Sequence, residues 1–195
     1  QVASDRGLQL PAIQSDQITG PPGSADDALL IYTSGTTGRP KGVVHTHASL
    51  LAGGANTCSA HHLSSTDRAL CVLPLCHING QVVTVMAPLV SGSSVVMPRK
   101  FSTQRFWYWV SKEDCTWFSV VPTMISYLLG MEEDAQHITE SQLSHVRFGR
   151  SASAPLAPAV HKAFVARFGI PMVETMGITE TAAQILSNPL DPVQQ

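Results

Sequence analysis

From Asp26 onward, short apolar runs alternate with longer stretches of helical periodicity. The apolar runs predict strands over 28–33, 69–73, 93–97, 116–120, 145–149 and 171–174. Most are β-branched and continuous, as in Val95-Val96 and Phe118-Ser119-Val120-Val121, the pattern of strands covered on both faces. Ala28-Leu29-Leu30-Ile31-Tyr32 likewise reads as a buried strand. Between them, the spacing predicts helices over 47–61, 79–91, 103–113, 122–130 and 157–168. Pro122 and Pro158 suit first-turn positions, Ser102 can cap the third helix, and Gly169 suits the position just past a helix end. Gly53-Gly54 weakens the first helix and marks close packing on the sheet. The alternation predicts an α/β, layered βαβ domain with a mainly parallel sheet flanked by helices. Phe106-Trp107-Tyr108-Trp109 must spread around its helix, so it predicts core packing plus contact with a partner outside this unit.

Residues 1–24, with Gly20-Pro21-Pro22-Gly23-Ser24, read as a linker or lead-in, 25–190 as the folded unit and 191–195 as a tail. A chain of 195 residues can bury a good core and amounts to about one domain. Apolar residues make up 44%, but Asp, Glu, Lys and Arg only 13%, roughly half the usual charged fraction. So little charge predicts a surface partly covered by more chain or another subunit. A net charge of −2 leaves no basic footprint for nucleic acid. Cys58, Cys71, Cys76 and Cys115 form no C-x-x-C pair and sit in apolar contexts, which predicts reduced core thiols. No run of ~18 apolar residues predicts a membrane span, and no basic start with an apolar core predicts a signal segment. The expectation is a soluble cytoplasmic domain.

Residues 32–47 read Tyr-Thr-Ser-Gly-Thr-Thr-Gly-Arg-Pro-Lys-Gly-Val-Val-His-Thr-His. After an apolar strand, this stretch offers hydroxyls at Thr33, Ser34, Thr36 and Thr37, glycines at Gly35, Gly38 and Gly42, and a cation at Lys41. Glycines let backbone N–H groups face a ligand directly. Successive N–H groups, hydroxyl donors and an ammonium make a concave anion site suited to polyphosphate. The spacing is not that of a Walker A loop. A Gly- and Thr-rich surface turn would look similar in a looser match, but this run is long, ordered and follows a strand. It resembles the phosphate-binding signature of the adenylate-forming superfamily, which includes acyl-CoA synthetases, peptide-synthetase adenylation domains and firefly luciferase.

A second segment, Glu174-Thr175-Met176-Gly177-Ile178-Thr179-Glu180, is similar to the superfamily's Gly-x-Thr-Glu turn. The resemblance implies that Thr175, Met176 and Gly177 border the nucleotide, that Thr179 bonds its phosphate, and that Glu180 holds Mg²⁺ against it. Phosphate-bound Mg²⁺ takes one or two carboxylates; on spacing alone, Thr179-Glu180 could simply open a short helix, where an acid is favourable. The family usually has an aromatic where Met176 stands, so adenine stacking is expected to be less defined. Ser151, Ala152 and Ser153, in Arg147-Phe148-Gly149-Arg150-Ser151-Ala152-Ser153-Ala154-Pro155, correspond by resemblance to one wall of the adenine and acyl pocket.

His77, in Leu73-Pro74-Leu75-Cys76-His77-Ile78-Asn79-Gly80-Gln81, matches the acyl-CoA synthetase pattern Pro-x-x-His-x-x-Gly, which implies a place at the carboxylate end of the acyl site. Amino-acid adenylation domains put an aspartate in this region, and none occurs between Val72 and Val85; a desolvated ammonium without a counter-ion is costly. The stretches 150–158 and 186–189 look most like oxalate–CoA ligases of plants and fungi and their bacterial relatives. Asn79 and Arg150 would make the acyl pocket polar or cationic, suiting a short acid, unless Arg150 is solvated or paired with a local carboxylate. His45 with His47, and His61 with His62, lack partners at ligand spacing, so no zinc site is assigned.

The resemblance covers residues 26–190 and corresponds to the central subdomain of such an enzyme. These residues include neither the Tyr-x-Thr-Gly-Asp segment that holds ribose nor the domain carrying the family's catalytic lysine. It implies ATP or AMP and Mg²⁺ as ligands, a small carboxylic acid as substrate and coenzyme A as acceptor. The implied reaction is acyl-adenylate formation followed by thioester formation, with little or no ligase activity expected of this chain alone. The other reading is a non-catalytic homologue that binds nucleotide or a partner.

Overall fold

The computed structural model describes residues 20–33, 40–131 and 139–190. The first element is an antiparallel ribbon of β1 (Asp27–Thr33) and β2 (Lys41–Thr46), paired from Asp27↔Thr46 to Thr33↔Lys41. It feeds α1 (His47–His61), where the N-cap Thr46 hydroxyl accepts the Ser49 N–H at 3.2 Å. Residues 28–32 do not form the buried strand expected from their composition. Ile31 is buried, but Leu30 and Tyr32 are 52% and 66% exposed. A ribbon standing outside the main sheet has one face on the body and one face open, so alternate side chains stay out.

The remaining strands described are β3 (Arg68–Cys71), β4 (Ser94–Val96), β5 (Trp117–Val120), β6 (Phe148–Ser151), β7 (Met172–Ile178) and β8 (Ala183–Ser187). They form one sheet in the order β4-β3-β5-β6-β7-β8, parallel throughout except for β8, which is antiparallel to β7. This is the layered, mainly parallel α/β architecture that the alternation predicts. A π-helical segment, Asn79–Met86, runs into α2 (Ala87–Ser91); α3 (Thr103–Lys112), α4 (Pro122–Leu129), α5 (Glu140–Leu143) and α6 (Pro158–Phe168) complete the helices described. None is long and apolar enough to cross a membrane.

Side chains alternate between the sheet's faces, and each face has its own core. Ala69, Trp117, Phe148 and Val173 pack with Leu50 of α1 and Val82 and Val83 of the π segment. Leu70, Phe118 and Met172 pack with aromatic and aliphatic side chains of α3, α4 and α6. Covering both faces is why the strands are continuously apolar. Gly149 sits opposite Phe118, and a Cβ there would stand 2.6 Å from the Phe118 ring. Its absence lets that ring meet Phe106 edge-on at 5.1 Å. The aromatic run on α3 divides as its periodicity demands: Phe106 and Trp107 enter the core while Tyr108 is 58% exposed.

Several local expectations change. Strand β6 runs over 148–151 rather than 145–149, because Arg147 turns out to an ion pair with Asp67 at 2.6 Å and the buried Arg150 and Ser151 continue the ladder. The helix expected from residue 79 begins as a π-helix; the Thr84 hydroxyl donates to the Gly80 carbonyl at 2.6 Å, competing with the α-helical bond. Gly53 and Gly54 do mark close packing, but against the Ala182 carbonyl and the Met86 backbone rather than a central strand. Ser102 occupies the N-cap of α3 without a side-chain cap bond, whereas Pro122, Pro158 and Gly169 stand where expected. Cys71 and Cys115 are buried thiols, but Cys76 is exposed and not a core residue.

Candidate active site

Loops at the carboxyl ends of the parallel strands part to leave a cavity of about 470 Å³. Open α/β sheets offer their ligand crevice at this edge. His77, Asn79 and Arg150 line it, with Ala152 and Ser153 from the turn after β6. Gly177 and Thr179 border it from the end of β7. Ser153 and Ala183, both on its wall, hold positive φ angles of 72° and 93°. Left-handed backbone in non-glycine residues costs about 1–2 kcal/mol each and tends to cluster at ligand sites.

The phosphate-signature residues Ser34, Gly35, Thr36, Thr37 and Gly38 lie outside the described residues. Their flanks are described: Thr33 ends β1, Lys41 opens β2, and the Thr33 hydroxyl donates to the Lys41 carbonyl at 3.5 Å. The ribbon is tied to the second segment by His45, which is 4% exposed and whose Nε2 stands 2.7 Å from the Thr179 carbonyl. A carbonyl only accepts, so Nε2 carries the proton. This contact brings the two segments, far apart in sequence, to the same edge. Sequence reasoning had weighed His45 only as a metal ligand; its inward position on a half-buried strand was the available signal.

Arg150 is neither solvated nor paired with a local carboxylate. It is 1% exposed, and no acid lies within ion-pair distance of it among the described residues. Parallel register sets Ser119 beside it, and its Nη1 donates to Ser119 Oγ at 3.0 Å and to Asn79 Oδ1 at 2.7 Å. Asn79 in turn accepts from Ser119 and donates to Ser153 Oγ at 3.4 Å. Gln184 of β8 accepts from Nη2 at 3.5 Å, and Nε has no partner among the described residues. Burial lowers the guanidinium pKa to about 9, which leaves it charged at neutral pH. Ser119 and Gln184 carry no motif that sequence could have flagged.

His61 lies on the same face, packed on Phe148 with ring centroids 5.1 Å apart. Burial, followed by the charge of Arg150, pulls its pKa down to about 3, against an opposing effect of the Gln184 side chain. The ring is therefore neutral at physiological pH.

The other predicted residues stand outside the cavity lining. Ser151 is buried within β6, and its carbonyl accepts the Thr175 hydroxyl at 3.5 Å. Met176 is 57% exposed, and Glu180 is exposed on the short 3₁₀ turn Thr179–Thr181. Among the described residues, no group of three or more His, Cys, Asp or Glu is placed so that it could hold a metal ion.

The sequence profile of the family described as "AMP-binding enzyme" matches residues 3–195. The chain belongs to the AMP-binding enzyme family. It is 53% identical over 187 residues to a sulfoacetate–CoA ligase of Cupriavidus necator, covering 95% of this chain and 36% of that protein. An oxalate–CoA ligase of Saccharomyces cerevisiae is 35% identical over 169 residues, covering 87% of this chain and 30% of its own. Among solved structures, ATP-bound MatB from Rhodopseudomonas palustris aligns with a TM-score of 0.77 at 30% identity, covering 87% of this chain and 32% of that one. This AMP-binding chain thus spans about a third of the length of its curated CoA-ligase relatives.

Proposed function

We propose that residues 25–190 form the nucleotide- and acid-binding core of an ATP-dependent acid–thiol ligase acting on a short carboxylic acid. The observation that carries this reading is the His45–Thr179 bond, 2.7 Å long, which joins the ribbon bearing Lys41 to the turn bearing Glu180 at the rim of the cavity. In this reading, Lys41 and the loop of residues 33–38 hold the ATP phosphates while Thr179 donates its hydroxyl to one of them. Thr175, Met176 and Gly177, with Ser151–Ser153 opposite, border the adenosine. The acid lies deeper, between His77, Asn79 and Arg150. Its carboxylate attacks the α-phosphorus, pyrophosphate leaves, and coenzyme A then takes the acyl group from AMP.

Glu180 fits Mg²⁺: it is an exposed carboxylate with no ion pair among the described residues, beside a hydroxyl, and hard cations favour such oxygen donors. The ion would neutralise phosphate charge as the phosphorus crowds. The chain's own share of the first step is electrostatic and positional: Lys41 and the loop donors meet developing charge, and the cavity holds two anions in line. The sulfoacetate and oxalate of the relatives' names support a short acid. Exposed Leu30, Tyr32 and Val44 on the ribbon support contact with further chain or another subunit. The protein is assigned to the cytoplasm on the same reading.

Calorimetric titration of MgATP tests the reading. Wild type should bind, and Lys41→Ala and Glu180→Ala should each weaken binding by roughly tenfold or more, the value of a charge-assisted contact. Absence of binding by wild type, or wild-type affinity in both variants, overturns it.

A further inference from the structure

A buried cation without a counter-ion is expensive unless something supplies one. Arg150 is such a cation, 1% exposed, on the wall of the cavity, with only neutral partners among the described residues. Those partners are unevenly placed. Asn79 Oδ1 and Ser119 Oγ take both protons of Nη1, at 2.7 and 3.0 Å. Among the described residues, Nε has no hydrogen-bond partner and Nη2 has only the long 3.5 Å contact to Gln184. The cation on the cavity wall is thus held by neutral groups alone among the described residues, and an anionic group on a ligand would supply the charge-assisted partner it lacks.

We propose that Arg150 is the specificity residue for a second anionic group on the acid, so that the site selects short dianions, carrying a carboxylate or sulfonate one or two carbons from the reacting carboxylate. The inference rests on the proposed acid-activating function and names its substrate class. Thr179 marks the nucleotide side of the cavity and Arg150 its inner wall, so the reacting carboxylate faces the former while the remote anion meets the latter. A simple fatty acid would leave the guanidinium uncompensated and bring hydrocarbon against Asn79. Asn79, Ser119 and Gln184 accept hydrogen bonds from the guanidinium without neutralising it, whereas a carboxylate built into the protein would have closed the subsite.

The test titrates sulfoacetate, malonate and propionate into the protein by calorimetry, with and without a non-hydrolysable ATP analogue, using wild type, Arg150→Gln and Asn79→Asp. Wild type should bind the two dianions roughly 10- to 100-fold more tightly than propionate, the range of a charge-assisted contact. Arg150→Gln should bring all three acids to similar affinity. Asn79→Asp covers the possibility that Arg150→Gln does not fold, because it supplies an internal counter-ion: it should raise the denaturation midpoint while abolishing the dianion preference. A merely structural Arg150 would give the same stabilisation with the preference intact, and that result overturns the proposal. So does a wild type that binds propionate as well as malonate. Nucleotide binding in the same samples is read separately: its absence refutes ATP-dependent activation, while the acid preference stands or falls on its own titration.

Discussion

His61 makes the fold's stability depend on pH. The imidazole is buried between Phe148 and Trp117, with ring centroids 5.1 and 6.5 Å away, and faces the positive charges of Arg150 and Arg147. Burial first and Arg150 second take its pKa from 6.5 to about 3. In the unfolded chain the ring takes a proton near pH 6.5, whereas in the folded chain it does so only near pH 3. The unfolded state therefore binds more protons between these values, and stability falls as the pH is lowered through them. The slope is about 1.4 kcal/mol per pH unit, which gives a loss of about 2 kcal/mol between pH 7 and pH 5. Against a total of roughly 5–15 kcal/mol for a domain, that is easily measured. Asp67, whose pKa is held below 3.8, loses its contribution as the pH falls below that value, outside the pH 7–5 range of the measurement. Urea denaturation at pH 7, 6 and 5 should show the decline in wild type and a flatter profile in His61→Leu. Parallel profiles for the two proteins would refute the buried, neutral imidazole.

Asp67 is 2% exposed and gathers the Arg147 guanidinium at 2.6 Å, the Thr116 hydroxyl at 2.8 Å and the Ser64 N–H at 2.8 Å, joining the starts of β3, β5 and β6. Burial would raise its pKa, but these donors more than offset it and hold the carboxyl below its usual value. Asp67→Ala should cost about 2–3 kcal/mol by chemical denaturation, the low end for a buried pair because Arg147 is 35% exposed; a loss below about 0.5 kcal/mol, as at a surface pair, would contradict it. Thiol labelling followed by peptide mass spectrometry should modify Cys76 first. Cys71 and Cys115 should react only on unfolding, since both are buried and burial pushes the Cys115 thiol up to about 12; equal labelling of all cysteines in the native protein would contradict the fold.

The layered fold was legible because its determinants are local. Continuous apolar runs, helical spacing and the Pro and Gly stops at Pro122, Pro158 and Gly169 act within a few residues. The family was legible for a similar reason: glycines, hydroxyls and acids in a fixed order within short stretches of chain carry its resemblance. The ends of strands were not. Charge at Arg150 reads as a surface position, and only the register of β5 beside β6 shows it caged by Ser119 and Asn79 within a central strand. Nor could spacing place β1 outside the main sheet, since apolar content alone does not say which faces will be covered. The tie between His45 and Thr179, the buried cation on the cavity wall and the neutral His61 all depend on residues distant along the chain. Such facts depend on how the backbone closes on itself, because burial and the absence of a counter-ion are properties of the surroundings and not of any residue's identity.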